Sequence, residues 1–236
     1  MEKLIFSDEF DYDGAPNPEK WRCEVGNHQW ANNELQAYSD RPSNVYVKDG
    51  KLVIVAQKEK DGDREYTSAR LNTKESFTYG TFKISAKLPN GVGSWPAIWM
   101  LGKSIREGTR WPLCGEIDIM EHVGRDEDNL LFSLHSEKRN HAIGTERTIV
   151  ARSKDLCKDF HEYCVKWTPT FIEFFVDDVS MARFDKDDDN SVENWPFDAP
   201  HFMILNIAVG GGLGGPVNDE HLPYVMEIDY VRIYAE

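Results

Sequence analysis

With 236 residues, 40% of them apolar and 12% aromatic, the chain is long enough to bury a sizeable core and reads as a single domain over 1–236. Forty-one acidic against 27 basic residues give a formal net charge of −14, which argues against nucleic acid or an anionic membrane as partner. A neutral substrate or a cation fits better. No apolar run approaches the roughly 18 residues of a membrane span. "MEKLIFSDEFD" has no basic segment followed by an apolar one, so no signal peptide is expected there; a cytosolic protein and a mature secreted form both fit.

Along the chain come short β-like runs parted by turns: "NVYVKDGKLVIVAQ", "YGTFKISAKLP", "LLFSLHS", "RTIVARS", "HEYCVKWT", "FIEFFVDDVSMARF", "HFMILNIAVGG" and "MEIDYVRIYAE". "KDG" at 48–50 marks a hairpin, because the Asp-Gly pair accepts positive φ, and "VDDV" at 176–179 marks a second tight turn. No stretch keeps a 3.6-residue apolar period for three turns, so only short pieces of helix are expected. The fold class that follows is all-β: a two-sheet antiparallel β-sandwich of the jelly-roll kind.

Cys23, Cys114, Cys157 and Cys164 are scattered and form no CxxC, which excludes a zinc site of that type. They read as buried thiols, with one or two disulfides as the alternative. "FDKDDDNSVENWPFD" lacks the glycine and the twelfth-position acid of an EF-hand, and reads as a solvated loop.

"GEIDIMEHVG" (115–124) carries the chemistry. On a strand Glu116 and Asp118 share a face, whereas Glu121, five residues from Glu116, should point away. One β-bulge at Ile119-Met120, two adjacent apolar residues where alternation expects one, would return Glu121 to the face of the other two. A helix offers no such solution, since i, i+2 and i+5 scatter around it. Two glutamates leaning together over a shorter aspartate suit a retaining glycosidase, in which one carboxyl attacks and the other donates a proton. Their mutual repulsion raises at least one pKa. The bland alternative is a solvated acidic face. Trp95, Trp99 and Trp111 lie close in sequence, and flat rings stack on sugars; Trp99, inside "AIWML", is read as core, and Trp111, beside Pro112, as the better platform.

The same segment resembles the E-[hydrophobic]-D-x-x-E signature of glycoside hydrolase family 16, in the bulged form of laminarinases (endo-β-1,3-glucanases) rather than the E-x-D-x-E form of lichenases. The likeness runs through "FSDEFD", "NNELQAY", "YTSARLNT", "GSWPAIWML", "NHAIGT", "FHEYCVKWTPTFIEFFVDD", "WPFDAPHFMILNIAVGG" and "MEIDYVRIY". It implies a concanavalin-like sandwich with a concave substrate cleft, and in it Glu116 as nucleophile, Asp118 as its assistant, Glu121 as general acid/base and His135 beside them. It further implies Asn33, Glu34, Arg70, Trp95 and Trp111 as glucan-binding residues; for Arg70 a structural ion pair is the alternative, and for His135 a satisfied core histidine.

By the same resemblance one structural calcium would sit away from the cleft on the carbonyls of Glu9 and Gly50 and on Asp229, and no organic cofactor is expected. The implied substrate is β-1,3-glucan, with mixed-linkage β-1,3-1,4-glucan or a non-catalytic glucan-binding module as alternatives. A monomer is expected. The family usually works outside the cell, while the missing signal peptide suits the cytoplasm. Leu213 stands after "AVGG", where laminarinases often carry tryptophan.

Overall fold

The computed structural model describes residues 3–235 as two stacked sheets. The seven-stranded sheet runs, edge to edge, through Arg147–Arg152, Asn129–His135, Glu116–His122, Ser94–Gly102, His201–Val209, Arg70–Thr73 and Trp21–Cys23. The ten-stranded sheet runs through Val179–Asp185, Phe171–Val176, His161–Trp167, Gly80–Lys87, Tyr224–Ala235, Lys51–Asp61, Arg64–Ser68 and Gln36–Tyr38. Lys3–Asp8 adds to Tyr224–Ala235, and Val45–Lys48 to Lys51–Asp61.

Both expected hairpins form as two-residue turns. Asp49 and Gly50 have φ of 51° and 73°, and Asp177 and Asp178 have 49° and 64°, the positive pair that matches the twist of the flanking strands. Helix is confined, among the described residues, to short 3₁₀ turns and one four-residue stretch, Gly211–Gly214. Among the described residues the sandwich departs from a wholly antiparallel one at a single place: Gln36–Tyr38 pairs parallel with Arg64–Ser68. The chain reverses twice between them, at Asp49-Gly50 and after Asp61, so the two segments run the same way.

The core lies between the sheets. Phe132 of one sheet packs against Phe174 of the other with ring centroids 5.5 Å apart. Trp167 is fully buried, and its Nε1–H donates to the Phe197 carbonyl at 2.9 Å. Each such buried aromatic or aliphatic side chain stabilises by about 1.5–3 kcal/mol. All four cysteines are free thiols, Cys114 and Cys164 buried, Cys23 and Cys157 half-buried.

The acidic loop is solvated only in its first half. There Asp187 pairs with Arg147 at 2.5 Å and Asp189 with Lys138 at 2.7 Å. Its second half buries Trp195 and Phe197, which pack edge-on against each other and join the main hydrophobic core.

Two histidines are buried in the neutral form. His201 Nδ1–H donates to the Ala199 carbonyl at 2.8 Å, while its Nε2 has no partner. Burial holds the pKa of both His201 and His122 down to about 4. The unfolded chain takes up these protons at about 6.5 and the folded one does not. Stability should therefore fall as pH drops from about 6.5 towards 4. His201→Phe should show a smaller loss than the parent between pH 7 and pH 4 in urea unfolding; equal losses would show that His201 contributes none of it.

Candidate active site

The acidic strand, Glu116–His122, is central in the seven-stranded sheet, and its register breaks where the sequence places the bulge. Asp118 opposes Ser133 and Glu121 opposes Leu131, so Ile119 and Met120 together face the single residue Phe132. Against the other neighbour the slip falls between Asp118 and Met120. Ile117, Ile119 and Met120 are fully buried in the inter-sheet core. The alternation restarts after them, and Glu121 emerges on the outer face with Glu116 and Asp118.

Gly115 sets the entry to this strand. It has a φ of +84°, and an added Cβ would lie 2.8 Å from Pro196 and 2.9 Å from His201 Nε2. Only glycine meets both the left-handed backbone and the closeness of that wall.

Around the acids the neighbouring strand and the turn before Gly115 supply polar hydrogens. Trp111 Nε1–H donates to Glu116 Oε2 at 2.7 Å, and Trp95 Nε1–H donates to Glu121 Oε1 at 3.0 Å. His135, directly opposite Glu116 on the next strand, brings its Nε2 to 3.2 Å from Asp118 Oδ2 and 4.0 Å from Glu116 Oε1. Asp118 lies beneath the two glutamates and is 2% exposed. No Lys or Arg pairs with any of the three carboxyls among the described residues.

Low solvation and mutual repulsion hold all three carboxyls above the usual carboxylate range. Burial, then the charge of Asp118, pushes Glu116 up to about 8, opposed by His135 and the Trp111 N–H. Burial, then the charge of Glu116, pushes Glu121 up to about 7, opposed by the Trp95 N–H. Asp118 is raised well above its ordinary value by burial and by Glu121. The cluster therefore keeps a proton near neutral pH and titrates as a unit.

These groups lie in a cleft of about 680 Å³ on the outer face of the seven-stranded sheet. Asn33, Glu34, Arg70, Trp95 and Trp111 all line it. Arg70 combines both readings of the sequence. It is ion-paired with Glu24, yet its guanidinium lies 5.3 Å from the centroid of Trp30 and 4.8 Å from that of Trp99. Glu34 is buried and accepts from Gln36 Nε2 at 2.7 Å and Tyr38 OH at 3.2 Å. Trp95, although it lines the cleft, is 8% exposed.

Trp99 corrects the sequence reading. It is half-buried and lines the cleft, its Nε1–H donating to Asn206 Oδ1 at 2.7 Å. It opposes Asp118, so it must share that outward face. Also missed were Trp30, three residues before Asn33, and His141 of "NHAIGT". His141 packs on Trp111 at 4.9 Å and edge-on to His135 at 5.2 Å. Leu213 contributes an aliphatic rim, its carbonyl held by Arg125.

The positions implied for calcium lie on the other sheet. Asp8 pairs with Val231, and Leu52 with Ile228, so Glu9, Gly50 and Asp229 adjoin the register slip between Ile228 and Tyr230. Arg232 takes both Glu9 carboxylate oxygens, at 3.0 and 2.7 Å, which leaves the Glu9 carbonyl as its available donor. Asp229 is exposed, and no ion pair involves it among the described residues. An all-oxygen donor set of this kind fits a hard cation.

Two half-buried glutamates and a buried aspartate on one open face of a sandwich define the class: a paired-acid glycoside hydrolase. The pattern of glycosyl hydrolases family 16 matches residues 32–232, and the chain belongs to that family. A β-glucanase of Rhodothermus marinus is 48% identical over 98% of this chain and 85% of its own length. The crystal structure of the laminarinase from Rhodothermus marinus superposes with a TM-score of 0.96 at 46% identity, covering 100% of this chain and 98% of that one. A mutant of a non-specific endo-β-1,3(4)-glucanase, co-crystallised with 1,3-β-D-cellotriosyl-glucose, gives a TM-score of 0.94 at 40% identity, covering 100% and 95%.

Proposed function

We propose that the chain is an endo-acting, retaining β-1,3-glucanase that works by double displacement. The observation that carries this is the bulge, which returns Glu121 to the face of Glu116 and Asp118 in the cleft.

Glu116 is the nucleophile in this reading. Burial and mutual repulsion rank the two glutamates the other way, Glu116 at about 8 and Glu121 at about 7. Because they titrate as a unit, the shared proton can reside on Glu121 while Trp111 N–H and the nearby His135 favour ionised Glu116. Its carboxylate oxygen bonds to the anomeric carbon of the glucose on the glycone side as the glycosidic C–O bond breaks. Glu121, held by Trp95, gives its proton to the departing oxygen. Glu121, now a carboxylate, then removes a proton from water. That water displaces Glu116 from the anomeric carbon, so both carboxyls return to their starting states and configuration is retained. Arg70, Asn33 and Glu34 present polar groups to sugar hydroxyls, and Trp99 and Trp30 supply flat surface.

A second reading, action on mixed-linkage glucan as well, is favoured by the aliphatic Leu213 at the rim, which demands less of ring orientation than an indole would. Digestion of laminarin, lichenan, agarose and xyloglucan side by side separates the two: cutting laminarin alone supports the first, cutting laminarin and lichenan the second. Inversion in the first anomer seen by NMR would sink the mechanism. Glu116→Gln should remove hydrolysis and keep oligosaccharide binding, whereas Glu121→Gln should lower kcat by about 10²–10⁴-fold.

The general acid must carry its proton, so the rate should fall as rising pH strips the last shared proton from the coupled carboxyl cluster. Trp95 N–H stabilises ionised Glu121, and removing it raises that pKa. Trp95→Phe should therefore move the alkaline limb of the kcat profile upward; a downward shift would contradict the assignment.

Calcium, when bound on Glu9, Gly50 and Asp229, would tie the first strand and the first hairpin to the Tyr224–Ala235 strand. Its effect would be on stability, by about 2.7–4.1 kcal/mol at a hundred- to thousand-fold excess over Kd. Chelation should lower the unfolding midpoint and leave kcat/KM of the folded protein unchanged. A loss of kcat/KM without a change in midpoint would contradict a structural ion there.

A further inference from the structure

Three donor atoms on the cleft floor, from Glu116, Asp118 and His135, lie within 4.8 Å of one another. His135 Nε2 is 3.2 Å from Asp118 Oδ2 and 4.0 Å from Glu116 Oε1. A tetrahedral zinc ion with bonds of about 2.0–2.2 Å to nitrogen and oxygen separates its ligand atoms by roughly 3.4 Å. His135 Nε2 and Asp118 Oδ2 already stand close to that spacing, and the Glu116 carboxyl, 4.0 Å from the imidazole, would close on them by side-chain rotation.

Two further observations point to a cation. Asp118 Oδ2 is buried and accepts no hydrogen bond. The carboxyl cluster also has no Lys or Arg partner among the described residues, so its negative charge is opposed only by neutral donors and one imidazole. The ligands stand on two directly paired strands, Glu116 opposite His135, and this fixes their separation through the sheet rather than through loops.

We infer that Glu116, Asp118 and His135 form a reversible site for a borderline divalent cation of the zinc type, whose occupancy blocks the cleft. The imidazole selects such an ion over calcium or magnesium, which prefer oxygen alone. The fourth position opens into the cleft, where solvent completes the shell. His135 Nδ1 has no hydrogen-bond partner, so the ring lacks the outer contact that strengthens resident metal sites. The ion is therefore exchangeable. Glu121 stays outside the set, held by Trp95 across the bulge. Blocking of hydrolysis rests on the glucanase reading; binding of the ion does not.

The test is calorimetric titration of the whole protein with zinc chloride, in non-chelating buffer with calcium present throughout. One site is expected. His135→Ala should weaken it at least about tenfold, and Glu121→Gln should change it by less than about threefold. His135→Gln and Asp118→Asn provide second variants, each checked for folding by circular dichroism. In hydrolysis assays zinc should raise the apparent KM for laminarin and leave kcat unchanged. Undiminished zinc binding by folded His135 and Asp118 variants would overturn the site. So would a fall in kcat at constant KM, which would place the ion elsewhere, for instance on the half-buried thiols Cys23 and Cys157. If zinc binds as expected but no glucan is cut, the metal site stands and the glucanase reading fails.

Discussion

The structure turns on one irregularity in one strand. Ile119 and Met120 both face inward against Phe132, and this doubled burial forces the backbone to spend an extra residue before Glu121. Apolar burial of about 1.5–3 kcal/mol per side chain thus holds a catalytic carboxyl in place from behind. The core and the cleft are two faces of the same decision.

Electrostatics in the cleft follow from what surrounds the acids. Lysine or arginine partners would ionise all three carboxyls and leave nothing to donate. Indole N–H groups are weaker partners: they orient Glu116 and Glu121 at 2.7 and 3.0 Å while burial keeps both above the usual carboxylate range. Trp111 reads from the sequence as a platform for sugar and Trp95, by resemblance, as a glucan-binding residue, yet the N–H edges of both are already engaged with the acids. Trp99 and Trp30, flanking Arg70, offer the additional aromatic surface.

The bulge, both tight hairpins and the two-sheet architecture were legible because each rests on local chemistry: adjacent apolar residues, Asp-Gly and Asp-Asp pairs, alternation. The missed features depend on long-range register. Trp99 sits in a run apolar on both sides, "AIWML", where periodicity cannot tell core from cleft; only its pairing with Asp118 decides the face. His141 reaches Trp111 from a loop thirty residues on, and no local pattern encodes that contact. The acidic loop misled in its second half because charge density masked the two aromatic residues that anchor it.

Strand alternation is a matter of parity, and the bulge makes this one strand indifferent to it. Elsewhere along Glu116–His122, losing or gaining a residue would invert every side chain beyond the change. Between Asp118 and Glu121 the two inward residues count as one, so a chain lacking either would revert to plain alternation with its last acid still facing outward. The spacings E-x-D-x-x-E and E-x-D-x-E are therefore neighbours in sequence space, separated by one codon's loss rather than by a rebuilt site. A length change that would be lethal to most central strands is here a permitted step.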